Sequence, residues 1–285
     1  MWIKRDDLNA TVCGGNKARV LEFLLAGVHP GETVLTVGGE GSTHVLAAAT
    51  HASRLGATTV GLRWRHDMNP TAERIAALSR ERCAVSTVYA TSVGAIVRAQ
   101  LFRLTHAVHY VPLGGSVPLG VLAQVNAALE LNRQVRAGIL PAPGCVVVPL
   151  GSGGTTAGLA LGFAIAGLNA TIVGVQVAPT IVANRIHVKQ LVTQTARMIE
   201  RMTGERLPRP HTHRLHLARD MYGGAYGRLV PRGVEAARQL ERTNGVLLDQ
   251  TYSAKAFAVA LAYMRERRDD QQPVLFWNTF DGRVL

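Results

Sequence analysis

Two groups of residues in this chain have the types and spacing to do chemistry together. The first centres on Lys17. Of 31 basic residues only four are lysines, Lys4, Lys17, Lys189 and Lys255. A lysine amine can lose its proton and attack a carbonyl, whereas a guanidinium stays protonated in a protein. Lys17 follows Gly14 and Gly15 and opens an apolar periodic run at Val20, Leu21, Leu24 and Leu25. That pattern predicts a loop-to-helix junction with an amine in its first turn. The second group suits an anion. Residues 146–150 read as a strand, the loop Gly151-Ser-Gly-Gly-Thr-Thr156 follows, and a helix begins at about residue 155. Consecutive glycines let backbone N–H groups converge, Ser152 and Thr155 add hydroxyl donors, and the helix N-terminus adds favourable potential. The loop lacks the Gly-Lys-Ser/Thr ending of a nucleotide P-loop, and Thr156 follows where a dinucleotide fingerprint has its last spaced glycine. A single phosphate fits better than a di- or triphosphate, and a ligand-free tight turn is the competing reading.

An imine-forming lysine and one phosphate cradle are the minimum equipment for pyridoxal phosphate. That cofactor brings an electron sink; the protein supplies the lysine, the phosphate site and a partner for the pyridine nitrogen. A further strand-loop-helix corner spans residues 38–44. There Ser42 and Thr43 suit helix caps, while Ser42 and His44 equally suit a ligand-facing role.

The elements that must position these residues alternate regularly. Strands are expected at 33–37, 58–64, 85–89, 108–111, 145–150, 171–177, 215–217, 246–248 and 274–277. Helices are expected at 43–55, 70–82, 92–104, 119–137, 155–168, 182–203, 231–244 and 254–267. Strands this continuous in Val, Ile and Leu indicate a parallel sheet covered on both faces, hence an α/β fold. Chemistry in such sheets gathers beyond the carboxyl ends of strands, which directs attention to 38–44, 151–156, 249–252 and 278–282. Residues 204–214 form the one soft segment.

Composition narrows the function classes. The 285 residues are 47% hydrophobic and 18% charged, and no apolar run is long enough to span a bilayer. No leader is evident, and Cys13, Cys83 and Cys145 are too dispersed for a disulfide framework or a zinc site. A reducing, cytoplasmic compartment is expected. The net charge of +12 is spread along the chain without aromatic interleaving, so an anionic substrate or cofactor is expected rather than nucleic acid. His211, His213 and His216 alternate with leucines and read as a strand face, not a metal site. Asp6 and Asp7 beside Arg5 read as a structural ion pair, Cys13 as a small buried residue, and Lys255 as a weak rival to Lys17.

The chain resembles the D-cysteine desulfhydrase and 1-aminocyclopropane-1-carboxylate (ACC) deaminase family of fold-type II pyridoxal-phosphate enzymes. The resemblance runs along nearly the whole chain in order. It is carried by Trp2-Ile-Lys-Arg-Asp-Asp-Leu8, Gly14-Gly-Asn-Lys-Ala-Arg19 with Leu21-Glu-Phe23, and Gly38-Gly39 with Ser42 and His44. It continues through Pro112-Leu-Gly-Gly-Ser116 with Gly120, Asn126-Ala-Ala-Leu-Glu130, the 151–158 loop, Gly224-Ala-Tyr-Gly227 and Tyr252-Ser-Ala-Lys-Ala256. It implies two open parallel-sheet subdomains, residues 1–35 with 131–285 forming the larger and 36–130 the smaller, with the cofactor in the cleft between. It also implies a homodimer.

By the same resemblance Lys17 carries the cofactor, with Asn16 beside it. Gly151, Ser152, Gly153, Gly154 and Thr155 hold its phosphate, and Thr279 meets the pyridine nitrogen. Ser42 lies near the substrate carboxylate with His44, and Tyr226 and Tyr252 are the two active-site tyrosines. ACC deaminases carry glutamate at the position of Ser253 and leucine at that of Thr279, so the desulfhydrase branch is implied: α,β-elimination on a small β-substituted amino acid, giving a 2-oxo acid and ammonia. The chain departs from the pattern in three places. In the loop at 41–44, Gly41 removes a side-chain donor and Thr43 replaces an asparagine expected to bind the cofactor's phenolic oxygen; Phe280-Asp281 replace two glycines; and the segment that precedes the Lys-Arg-Asp-Asp motif in relatives is expected to be lost, trimmed or left out by a misassigned start codon. The alternatives are β-replacement or deamination of a specialised substrate, or a binding subunit without chemistry.

Overall fold

A computed structural model of the protein describes residues 1–210, 214–266 and 272–284. Its strands are β1 (Trp2–Arg5), β2 (Thr33–Gly39), β3 (Thr58–Trp64), β4 (Val85–Tyr89), β5 (His109–Val111), β6 (Cys145–Leu150), β7 (Thr171–Gln176), β8 (Leu215–Ala218) and β9 (Val274–Asn278). Its helices are α1 (Asn16–Leu24), α2 (Thr43–Arg54), α3 (Pro70–Arg82), α4 (Ser92–Thr105), α5 (Pro118–Arg136), α6 (Gly154–Ala166), α7 (Arg185–Thr203), α8 (Pro231–Asn244) and α9 (Ser253–Glu266).

The strands form two sheets with orders β1-β9-β6-β7-β8 and β4-β3-β2-β5, and every pairing within them is parallel. In the larger sheet the two-residue period sorts side chains onto two cores. Val146, Val148, Leu150 and Trp277 pack with α5, α6 and α7, while Val147, Val173, Val175 and Phe276 pack with α8 and α9. In the smaller sheet Val34 and Val111 face α1 and α2, and Leu35, Val60 and Leu62 face α4. Burial on both faces explains why these strands read as unbroken apolar runs.

Two sequence expectations are corrected. Residues 246–248 form no strand, because β9 and β7 already flank β6; Val246 and Leu248 are buried in the α8–α9 core without a ladder. Trp2–Arg5 is a strand that its charged residues concealed: it pairs with β9 at the sheet edge, where Lys4 and Arg5 are tolerated. Position 36 lies inside β2 and position 131 inside α5, which packs against α6 and α1. His211 and His213 lie outside the described residues, as does the final residue of the helix expected at 254–267. No group of metal-ligating side chains occurs among the described residues, and none of their helices is long and apolar enough to cross a membrane.

Candidate active site

Lys17 stands beyond the carboxyl end of β1, in the first turn of α1. Its turn is stitched to the other end of the chain. The Asn16 N–H donates to the Thr279 carbonyl at 3.1 Å, the Gly15 N–H to the Asp6 carbonyl at 2.8 Å, and Gly15 bridges Phe280. Gly15 adopts φ +107°, and a Cβ there would sit 2.3 Å from the Thr279 oxygen, so only glycine permits this contact. The Lys17 ammonium donates to the Gly114 carbonyl at 2.9 Å. Burial pushes its pKa down to about 8, because a desolvated ammonium is disfavoured.

The 151–155 loop lies beyond β6, the strand next to β9. Gly153 caps α6 in the left-handed conformation, with φ +84°. The loop is closely backed. A Cβ on Gly154 would lie 2.7 Å from Ser116 Oγ, and one on Gly114 would lie 2.3 Å from Ser152 Oγ. Ser116 donates to Ser152 at 2.7 Å, Asn16 Nδ2 donates to Thr155 Oγ1 at 2.8 Å, and Gln124 Nε2 donates to the Asn16 carbonyl at 3.0 Å. The lysine turn and the glycine loop are therefore one connected unit.

Both open on a cleft of about 390 Å³ between the two sheets. Ser42, Thr43 and His44 enter it from the N-terminus of α2, and Tyr226, Tyr252 and Thr279 from the larger subdomain. His44 is buried against the Thr36 hydroxyl, and burial together with the Lys17 charge pushes its pKa down to about 3, so the ring is neutral. The Tyr226 and Tyr252 hydroxyls are hydrogen-bonded to each other, with ring planes at 72°. Burial pushes Tyr226 up to about 12, and burial and Tyr226 push Tyr252 well above its usual value. Asp249 accepts the N–H groups of Thr251, Tyr252 and Ser253 at 3.0, 2.6 and 3.0 Å, which fixes the Tyr252 turn.

Of the residues singled out in the sequence, Asn16, Lys17, Ser42, Thr43, His44, Gly151, Ser152, Gly153, Gly154, Thr155, Tyr226, Tyr252 and Thr279 all line this cleft. Ser253 does not; it is fully buried at the start of α9. Lys255 donates to the Tyr222 carbonyl away from the cleft, Arg5 pairs with Asp7, Arg19 pairs with Asp6, and Cys13 is buried. Sequence reasoning missed Gln124 and the Gly114 carbonyl, and it flagged without a role Asp249 and the Asp281 carboxylate, which accepts the Gly14 N–H at 3.1 Å. The glycine pair at 114–115 was the available signal for one of them, since both adopt positive φ.

The residues present fit pyridoxal phosphate. A glycine loop, in which Gly154 leaves no room for a Cβ and Gly153 takes a left-handed turn, offers backbone donors for a phosphate, Lys17 supplies an amine of depressed pKa, and Thr279 supplies a neutral hydroxyl in the same cleft. Comparison with known proteins agrees. A family profile described as pyridoxal-phosphate dependent enzyme matches residues 1–279. D-cysteine desulfhydrases of Salmonella paratyphi A and Salmonella choleraesuis are each 31% identical over 302 residues, covering 100% of this chain and 88% of the relative. Among solved structures, an ACC deaminase homologue superposes with TM-score 0.79 at 26% identity, covering 98% of this chain and 83% of its own. Threonine deaminase isoform 2 of Solanum lycopersicum shares the fold, with TM-score 0.65 at 18% identity, covering 98% of this chain and 74% of its own. With its whole length matched by these relatives and residues 1–279 by the profile, the chain belongs to the pyridoxal-phosphate dependent enzyme family.

Proposed function

We propose that the protein is a lyase catalysing α,β-elimination on a small β-substituted amino acid, D-cysteine desulfhydrase-like, with a 2-oxo acid and ammonia as products. The observation that carries this reading is the meeting of the Lys17 amine, the 151–155 cradle and the Thr279 hydroxyl in one cleft. When bound, pyridoxal phosphate supplies an electron sink for the pair left at the substrate α-carbon. Lys17 takes the α-proton at Nζ, for which a pKa near 8 is well matched at neutral pH. Thr279 offers the pyridine nitrogen a neutral partner, which favours expulsion of the β-substituent. Ser42 Oγ and the α2 N-terminus receive the substrate carboxylate. The Tyr226–Tyr252 pair, hydrogen-bonded with both hydroxyls protonated, donates a proton to the departing sulfur.

The full set of groups on one cleft supports chemistry over a role confined to binding. The lack of a carboxylate at position 253 supports elimination over cyclopropane opening. A homodimer in the cytoplasm completes the proposal. Incubation of holoenzyme with D- and L-cysteine and β-chloroalanine tests it. Release of 2-oxo acid and ammonia in equal amounts is expected; no release from any of them defeats the reading.

A further inference from the structure

We infer that the preferred substrates are cysteines bearing an uncharged apolar group on sulfur, the S-alkyl and S-aryl cysteines. This inference rests on the elimination reading above and names its substrate class. Beyond the reactive groups, the cleft is walled by Trp64, Val93 and Ile96 of the smaller subdomain and Ala178, Ile181 and Val182 of the larger. Val93 and Ile181 are 68% and 85% exposed at its rim. An apolar surface of this kind beside a reactive amine is unfilled by the lone sulfhydryl of cysteine, and covering it with a hydrocarbon substituent is favourable.

Charge points the same way. The ionisable groups lining the cleft are Lys17, His44, Tyr226, Tyr252 and Asp249. His44 is neutral, the tyrosines keep their protons, and Asp249 is occupied by three backbone N–H groups. Lys17 is engaged at the reacting carbon. Among the described residues lining the cleft, no second cation is left to meet a side-chain carboxylate, sulfonate or phosphate, and no free carboxylate is left to meet an amine. The leaving group is consistent with this. The tyrosine pair is a weak acid, adequate for a thiolate, whose own proton affinity is modest, and poor for an alkoxide.

The reaction balances without a further reactant than water. The Cα–H and Cβ–S bonds break, sulfur leaves with the Cβ–S pair and takes a proton, and the carbon skeleton hydrolyses: RS–CH2–CH(NH3+)–COO− + H2O → RSH + CH3–CO–COO− + NH4+.

The test compares D-cysteine with S-methyl-, S-benzyl- and S-carboxymethyl-D-cysteine, and the L series in parallel, by thiol and 2-oxo acid release from holoenzyme. Expected is a kcat/KM for S-benzylcysteine about 10-fold or more above those for cysteine and S-carboxymethylcysteine, the range one apolar group confers in a fitting pocket. Ile181→Lys, at an exposed rim position, should narrow the benzyl-to-carboxymethyl ratio about 10-fold. As a readout that needs no turnover, phenylalanine should raise the Tm of holoenzyme more than aspartate does. Turnover of cysteine equal to or better than that of S-benzylcysteine overturns this inference while leaving the elimination reading intact. Release from no substrate overturns both.

Discussion

The Asn16 amide donates to the carbonyl of Thr279 at 3.1 Å, so the residue before Lys17 is pinned to a residue whose hydroxyl lies in the same cleft. Residues 263 positions apart in sequence are thereby made neighbours at the carboxyl ends of β1 and β9, two adjacent strands. Other site groups follow β6, β2 and β5 in the same way, while Tyr226 and Tyr252 enter from the loops after β8 and α8. Carboxyl-end loops of parallel strands carry the site because that is where helix N-termini and free backbone donors converge.

Asp281 strengthens this pinning. Its carboxylate accepts the Gly14 N–H, and Arg283 joins it to the Asp7 and Ala10 carbonyls. Asp281→Ala leaves the Gly14 N–H without its acceptor and should cost about 1–3 kcal/mol. Urea unfolding of the cofactor-free protein measures that loss, and the affinity for pyridoxal phosphate, read by absorbance titration, should fall alongside it.

The glycine cradle gives a sharper steric prediction. Gly154→Ala places a methyl carbon 2.7 Å from Ser116 Oγ, and Gly114→Ala places one 2.3 Å from Ser152 Oγ at a φ of +63°. Both variants should weaken cofactor binding by about 10-fold or more, the cost of a displacement worth roughly 1.4 kcal/mol. Inorganic phosphate protection against proteolysis should be lost in parallel.

The pH dependence follows from Lys17. Its pKa is about 8 in the folded protein against an ordinary 10.5. Between these values the unfolded chain binds more protons at this group, so the contribution of Lys17 to the stability of the cofactor-free protein rises as pH increases from 8 to 10.5. Lys255, pushed down to about 8 by burial, contributes in the same direction. Lys17→Met and Lys255→Met should each make the slope of stability against pH over this range less positive in chemical denaturation series. The rate at which added pyridoxal phosphate attaches covalently to the wild type should climb with a midpoint near pH 8.

The tyrosine pair separates folding from chemistry. Tyr226→Phe removes one hydroxyl and leaves that of Tyr252 buried without its partner. A stability loss of about 1–3 kcal/mol is expected. Where the pair delivers the proton to sulfur, kcat should drop about 10²–10⁴-fold with little change in cofactor affinity.

Much of this site was legible because its determinants are local. Lys17 after two glycines, and the Gly-Ser-Gly-Gly loop after an apolar strand, are signals confined to a few residues, and both landed on the cleft. The resemblance then pointed to Thr279, Tyr226 and Tyr252, which have no local signature. What escaped depends on tertiary contacts. Ser253 sits next to Tyr252 in sequence, yet the Asp249-capped turn directs it into the core. Gln124 reaches the site only because α5 packs against α1. The Val246–Leu248 run has strand character but is taken up by the α8–α9 core without joining a ladder. Trp2–Arg5 pairs because β9 offers its outer edge.

The central claim is that Lys17 is the amine that holds the cofactor. Borohydride reduction of the protein after incubation with pyridoxal phosphate, followed by peptide mapping, tests it most directly. The account predicts one pyridoxyl label, on Lys17, and its disappearance in Lys17→Ala. A label on Lys255, Lys4 or Lys189 in place of Lys17, or no label on a protein that binds the cofactor, would contradict it.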